Sequence, residues 1–491
     1  MRVRCFTRRR GWLLLMLVPL VLWLGAGCAW RASLPAARVV QGHYEQPIGR
    51  RPYNDRGAVA VCGENGCHVA YEEEEEISRL RRWLSLGMAK PRRRVLLDGQ
   101  PSPWFEEIVW MGFPFEDERF LFVARTGNKK FLYQRLQRLG VYDDVCLDFG
   151  RSRDGKTFAY AVRRGDRWFL VVNGRETPVP RGEVRGLVLS PDGTQLAYVA
   201  ESGGKETVFV GGKPVGTYDG AVLHFVSNDG SRLVYEVERQ GQWFLVVNGQ
   251  HSPLYQKISQ LSLGENGDVI AYVATAGSKT VVVWRGQPSP PYDGIGIISV
   301  SRDGKRLVYP ALVGNRWTVV IDGQPHGWYE HVASAQVSED GSRVAYVVQR
   351  GGQQFVVVDG KKEGPYDSVV SMLSPFPAKG LSQMEPPQAL PETSREGFGY
   401  VARRGNQWFV VVNGRRYGAY EFAYAPVFRR DGAHFAFAAQ RKGSNVVVVV
   451  DGKEGPVYDY VASGPAFRRD GSLEYLAVRG EALYRVTVPL R

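Results

Sequence analysis

The residues of this chain that could do chemistry are its histidines, its runs of acids, its cysteines and a set of recurring Asp-Gly pairs, each with a spacing that can be tested. "HGWYEH", 326–331, places Glu330 between His326 and His331. A zinc hydrolase needs His-Glu-x-x-His, which sets two imidazoles and an acid on one helix face, and the order here is different. No G-x-S-x-G elbow is present to expose a nucleophilic serine, and "GGKPVG" and "AGSKT" lack phosphate-loop spacing. Five S-x-D-G segments carry Asp154-Gly155, Asp192-Gly193, Asp229-Gly230, Asp303-Gly304 and Asp340-Gly341. They lack the acidic spacing of a calcium loop. They read as structural turns, in which Gly takes the positive φ and Asp bonds the local backbone. The chain offers no catalytic residue and no metal ligand set, so the expectation is a non-enzymatic protein without a cofactor.

Cys62 and Cys67 bracket "GENG", a turn sequence between the strand-like "AVAV" and "HVAY". A disulfide across that turn is the simplest use in an oxidising compartment; a metal site with His68 lacks a second ligand pair. Cys146 follows "YDDV" in an apolar context and reads as a buried free thiol.

The elements that position these residues begin with a targeting segment. "MRVRCFTRRR" is a cationic start, and the apolar "GWLLLMLVPLVLWLGAG" behind it is short for a membrane span, so residues 1–27 read as a signal peptide. Its five Arg would leave with it, taking the formal charge from +13 to 13 − 5 = +8. That balance favours anionic surroundings such as phosphate-bearing lipid or an acidic polymer. "LGAGC", 24–28, resembles the bacterial lipoprotein signal, although Gly25 stands where Leu is usual. The resemblance implies cleavage before Cys28, lipidation of that residue and a membrane anchor. Ala29 behind it implies sorting to the outer membrane, with the rest of the chain in the periplasm or at the cell surface.

Residues 28–94 read as a lipid-anchored tether holding the Cys62–Cys67 hairpin and one short helix. In "EEEEEISRLRRWLSLG", 72–87, the acids lead and the arginines follow, which suits a helix dipole. From 95 to 491 the chain is repetitive. Phe122, Tyr160, Tyr198, Tyr235, Tyr272, Tyr309, Tyr346, Tyr400, Phe437 and Tyr475 follow one another at 37 or 38 residues, save one interval of 54. Most units open on Tyr-Asp, turn at Asp-Gly and continue through an "AYVA" strand to a "WFVVVNG" strand and a shorter return. A meander this short cannot bury both faces alone, so about ten such blades should stack as an all-β propeller, in one large ring or two smaller ones. "SPDGTQLAYVA", 190–200, resembles the TolB-type and WD-like propeller repeats. The resemblance implies a periplasmic propeller, without the separate α/β domain of TolB.

Trp168, Trp243, Trp317 and Trp408, with Phe355 in the same place, recur at the start of the third strand and read as packing between blades. Bases recur at the tips between second and third strands, among them Lys129, Arg164, Lys205, Arg239, Lys279, Arg316 and Arg404. They read as solvated loop charges, or as a ring for an anionic polymer or glycan. Aromatics interleaved for stacking bases are missing, which argues against nucleic acid. The long interval holds a Pro-rich insertion, 374–397, in which Met384 and Leu390 are candidates for contact with a partner protein. The function expected is a non-catalytic envelope lipoprotein whose propeller binds or scaffolds envelope proteins, the alternative being a protein that binds or degrades polysaccharide. Cys28→Ala should abolish palmitate labelling and release the protein from membranes or stall its precursor; unchanged labelling would refute the anchor.

Overall fold

The computed structural model describes residues 36–50, 59–63, 66–75, 90–115, 119–264, 267–338, 340–370, 398–429, 431–443 and 445–490. They form eleven small antiparallel sheets, with no helix among the described residues. In ten sheets the strands follow one another in chain order from the axis outward. Numbered along the chain, these blades span 59–101, 107–142, 144–178, 183–218, 220–251, 257–288, 294–329, 331–366, 368–420 and 422–458. The eleventh mixes the two ends of the chain. Tyr460–Phe467, Leu473–Arg479 and Ala482–Val488 run outward and then pair with His43–Arg50, which pairs with Arg38–Val40. Each blade touches the next along the chain, and blade 11 touches both blade 10 and blade 1, so the architecture is one closed ring.

The strands form where the sequence alternates and turn where Gly permits. In the hairpin of the third and fourth strands, Asn173-Gly174 adopts φ of 48° and 82°. Both values are positive, as a tight hairpin of this twist requires. The Asn173 side chain also accepts a hydrogen bond from the amide of Phe158 at 2.8 Å, and Asn248, Asp322, Asp359, Asn413 and Asp451 repeat the contact. This is the reason for the recurring "VVNG" and "VVDG".

Apolar side chains on the faces of neighbouring sheets make the core. Ala197, Val199 and Val208 of blade 4 pack with Val226, Tyr235 and Phe244 of blade 5, for example. At most blade boundaries the periodic aromatic of the second strand meets the aromatic that ends the preceding blade. Tyr142–Tyr160, Tyr218–Tyr235, Tyr292–Tyr309, Tyr366–Tyr400 and Tyr458–Tyr475 are edge-on pairs 5.9–6.4 Å apart.

The all-β propeller expected from the repeats stands, and its eleven blades are close to the ten expected; the additional one is 59–101, in which Tyr71 of "HVAY" holds the place of the periodic aromatic. Two expectations change. The region expected as a tether, 28–94, therefore contributes strands from Arg38 onward. The helix expected over 72–87 does not begin there. Strand Gly66–Glu74 continues through its first acids, which face arginines across the sheet: Glu72 to Arg93 at 3.4 Å and Glu75 to Arg92 at 2.8 Å. Cross-strand charge pairing replaces the helix dipole as the reason for the acid run. Residues 76–87 lie outside the described residues, as do Cys28, Met384, Leu390 and the insertion.

Ring closure is secured by buried charge. The Glu45 side chain is 0% exposed and takes Arg479 Nη1 and Nη2 at 2.8 and 2.9 Å, the Tyr458 hydroxyl at 2.7 Å and Arg38 Nε at 3.0 Å. His43 Nδ1 lies 2.9 Å from the Tyr475 hydroxyl. On the other side of blade 11, Glu474 accepts from the Cys67 amide at 2.6 Å and from Arg468 Nη1 at 3.0 Å. Burial alone would raise the Glu45 carboxyl, but hydrogen bonds from Arg479, Tyr458 and Arg38 outweigh it and hold the group below its ordinary 4.5. Burial pushes His43 below 6.5, with Glu45 opposing.

The signs of these two shifts agree. An unfolded chain takes up protons at both sites before the folded one does, so stability is full above 6.5 and falls as the medium is acidified, first through His43 and then below 4.5 through Glu45. Hydrogen exchange at 43–50, corrected for intrinsic rates, should show more opening at pH 4 than at pH 7. Glu45→Gln should cost about 3 kcal/mol at neutral pH, the low end for a broken buried pair because Arg479 reaches solvent. Equal protection at both pH values would contradict this account.

Candidate functional site

Two surfaces collect the residues that the repeat places together: the face that carries the tips, and the axial channel. At the tips, the acid of each Tyr-Asp linker lies between two blades. Asp143 accepts the Gly165 amide of blade 3 at 2.8 Å and pairs with Lys129 of blade 2. Asp219 joins Lys205 to the Gln240 amide in the same way, and Asp293 joins Lys279 to the Gly314 amide. Arginines cover the linker tyrosines: Arg164 over Tyr142 at 4.6 Å, Arg404 over Tyr366 at 5.1 Å and Arg239 over Tyr218 at 5.8 Å. Bases that the sequence presents as a ring of free loop charge are thus engaged in fastening one blade to the next.

The Asp-Gly turns occupy the opposite face. Asp154, Asp192, Asp229, Asp303 and Asp340 each accept the hydroxyl of the Ser two residues before and the amide two residues after, at 2.5–3.0 Å. Gly155, Gly193, Gly230, Gly304 and Gly341 stand at φ of 67–77°. Backbone and Ser301 hydrogen bonds hold the Asp303 carboxyl down to about 2. These carboxylates are satisfied within their own turns.

Other residues singled out by the sequence are also placed. Cys62 and Cys67 are bonded, with Cα atoms 4.0 Å apart, on facing strands of blade 1. His68 Nδ1 lies 2.7 Å from Asp98. Glu330 accepts the tip amides of Gly351 and Gly352 at 2.7 and 3.2 Å, while His331 packs edge-on to Trp317 at 5.5 Å. Trp408 similarly meets Phe422 of the next blade at 5.3 Å, and Trp168 is buried between blades 3 and 4. Burial pushes the Cys146 thiol up to about 11, so it stays protonated at neutral pH. Among the described residues, no group of three His, Cys, Asp or Glu is arranged to hold a metal ion.

The channel is what the sequence reading missed. On the first strands, alternate residues such as Ile108, Val145, Val184, Ile258, Val332 and Val369 point between blades and are buried. The residues beside them face the axis. Val109, Leu147, Val222, Ile297 and Val370 do so at or next to the fourth position after each linker aromatic, and each is 37–46% exposed. Few charges interrupt this apolar row. The Asp148 carboxyl lies beside Gly186 of the next blade, and partial desolvation there pushes it up. Arg185 is held by Glu183 at 3.2 Å and Glu201 at 3.5 Å. Such a lining binds by removing apolar surface from water, at about 25 cal/mol per Å².

No protein-family model matches this chain, and no curated protein matches it. Solved structures similar to it include a hydrazine synthase of Kuenenia stuttgartiensis, at 13% identity over 49% of this chain and 92% of that chain, with a TM-score of 0.26. The Dos1 propeller is similar at 11% identity over 71% and 93%, TM-score 0.29. KlHsv2 with loop 6CD replaced by a Gly-Ser linker is similar at 9% identity over 60% and 93%, TM-score 0.25. The propeller assignment stands on the strand pairing itself.

A difference between two glycines tests the turn geometry. A Cβ on Gly193 would stand 2.5 Å from Thr157 of the preceding blade at φ +77°, whereas one on Gly203, φ +64°, would meet nothing within 4 Å. Gly193→Val should cost about 1–3 kcal/mol in backbone strain, with the interblade clash added. Gly203→Ala, with no clash to add, should cost only the backbone strain of about 1–2 kcal/mol. Equal melting temperatures for the two variants would contradict the placement of the turn against blade 3.

Proposed function

We propose that this chain is a non-catalytic lipoprotein of the bacterial envelope whose propeller serves as a protein-binding or scaffolding platform, with the axial channel as its binding surface. The apolar row of Val109, Leu147, Val222, Ile297 and Val370 carries the reading. Exposed apolar side chains gathered in a concave surface favour a protein ligand with apolar side chains of its own. The engaged tip bases weigh against capture of an anionic polymer on that face. The interblade burial of Trp168 and the ring contacts of Trp317 and Trp408 weigh against a sugar-stacking surface. The targeting part of the proposal rests on "LGAGC" and on the resemblance to TolB-type repeats.

Leu147→Asp combined with Val222→Asp places two carboxylates in the channel at positions already open to water, so folding should be kept. Circular dichroism and thermal melting should match the unaltered protein. Partners recovered by affinity capture from crosslinked envelopes should fall at least five-fold for the double variant. An unchanged partner list with an intact fold would reject the channel as the binding surface.

A further inference from the structure

We propose that the outer rim of blade 11 is a membrane-facing surface, on which Val39 and Tyr44 meet the lipid interface and stand the ring on its edge. The inference rests on the reading of Cys28 as a lipid anchor. Its structural basis is the hairpin of Arg38–Val40 and His43–Arg50, which gives this blade a fifth, outermost strand that the ten consecutive blades do not have.

Alternation decides which side of the hairpin is open. His43 and Glu45 are buried against blade 10: the His43 ring lies beside Gly455, and Glu45 accepts the Tyr458 hydroxyl. Tyr44 and its cross-strand partner Val39 therefore point the other way, towards blade 1. The outermost strand of that blade is only Gln100–Pro101, too short to cover them. Tyr44 is 45% exposed, and Val39, at 68%, is the most exposed large apolar side chain among the described residues.

Chain length supplies the occupant. Cys28 lies ten residues before Arg38. An extended segment of that length spans at most about 33–36 Å, so an anchor there keeps this rim within reach of the headgroups. A tyrosine beside an aliphatic side chain suits the boundary between headgroups and acyl chains. Arg31 and the half-exposed Arg38 add positive charge at the same end, which favours anionic lipid. A protein partner fits the patch less well, because a specific interface needs about 800 Å² on each side and this one centres on two side chains. A lipid interface demands no such complementarity. With the rim on the bilayer, the ring axis lies parallel to the membrane, and both mouths of the channel stay open to soluble partners.

The test uses the full-length lipidated protein in vesicles of phosphatidylethanolamine and phosphatidylglycerol. Val39→Cys and, as a control five blades away, Leu254→Cys would each carry an environment-sensitive dye. Leu254 is exposed, Cys62 and Cys67 are bonded, and the Cys146 thiol is raised to about 11 and reacts slowly. Spin-labelled lipids should quench the dye at 39 at least two-fold more than the dye at 254, with a blue shift at 39 alone. Equal quenching at the two sites in protein that sediments with the vesicles would overturn the rim orientation while leaving the anchor standing. A dye at 39 already shielded before vesicles are added would overturn it too, since protein would then cover the hairpin. Protein that stays in the supernatant would overturn the anchor and the orientation together.

Discussion

A four-stranded meander has an apolar face on each side and can cover neither by itself, so every blade needs two neighbours and the row of blades must end by meeting its own beginning. Ten of the eleven blades are built from consecutive strands. The last is not: three C-terminal strands borrow their fourth from His43–Arg50, and Glu45 reaches Arg479 across 434 residues of sequence. Burying that pair is costly in desolvation, and its attraction offsets the cost only because Arg38 and Tyr458 complete the hydrogen bonding of the carboxylate. Its main effect is to specify which strand closes the ring and in which register. An unpaired Glu45 in any other position would be severely penalised.

The same requirement explains what the sequence could disclose. Interblade aromatics recur because each boundary repeats the same packing problem, and their spacing of 37 or 38 residues made the propeller legible from Phe122 to Tyr475. Blade 1 escaped because residues 76–89 stretch the interval from Tyr71 to Phe122 to 51, and because Cys62–Cys67 replaces the S-x-D-G turn. "HVAY", 68–71, was the available signal, being close to the "LAYV" of 196–199. Strand His43–Arg50 had no such signal. Its buried members include His43 and Glu45, whose partners lie at the far end of the chain, so local hydrophobic pattern points the wrong way.

The tips show a different limit. Bases at equivalent positions were visible as a series, and so were the Tyr-Asp linkers, but nothing in the sequence says that one lies under the other. Only the fold brings Lys129 to Asp143 and Lys205 to Asp219, and lays Arg164 over Tyr142. The channel residues were hidden for the opposite reason. Val109, Leu147, Arg185 and Val222 stand at or next to one position and share little chemistry, so they form no motif that a reader of sequence would collect.

Blade number links these observations to what the protein can bind. Adding blades moves the first strands away from the axis, so side chains that would meet across the centre of a small ring face an open channel in a large one. At eleven blades, Leu147, Val222 and Ile297 are left partly exposed although their sequence positions are those of inward-facing strand residues. A formal charge of +13 would ordinarily direct attention to anionic ligands. Much of that charge, however, is held in contacts between blades, and a polymer that captured it would compete with the fold's own fastenings. The channel side chains have no such commitment. On the proposed reading, apolar surface that a ligand can still cover is therefore to be sought along the channel, not where the charge is densest.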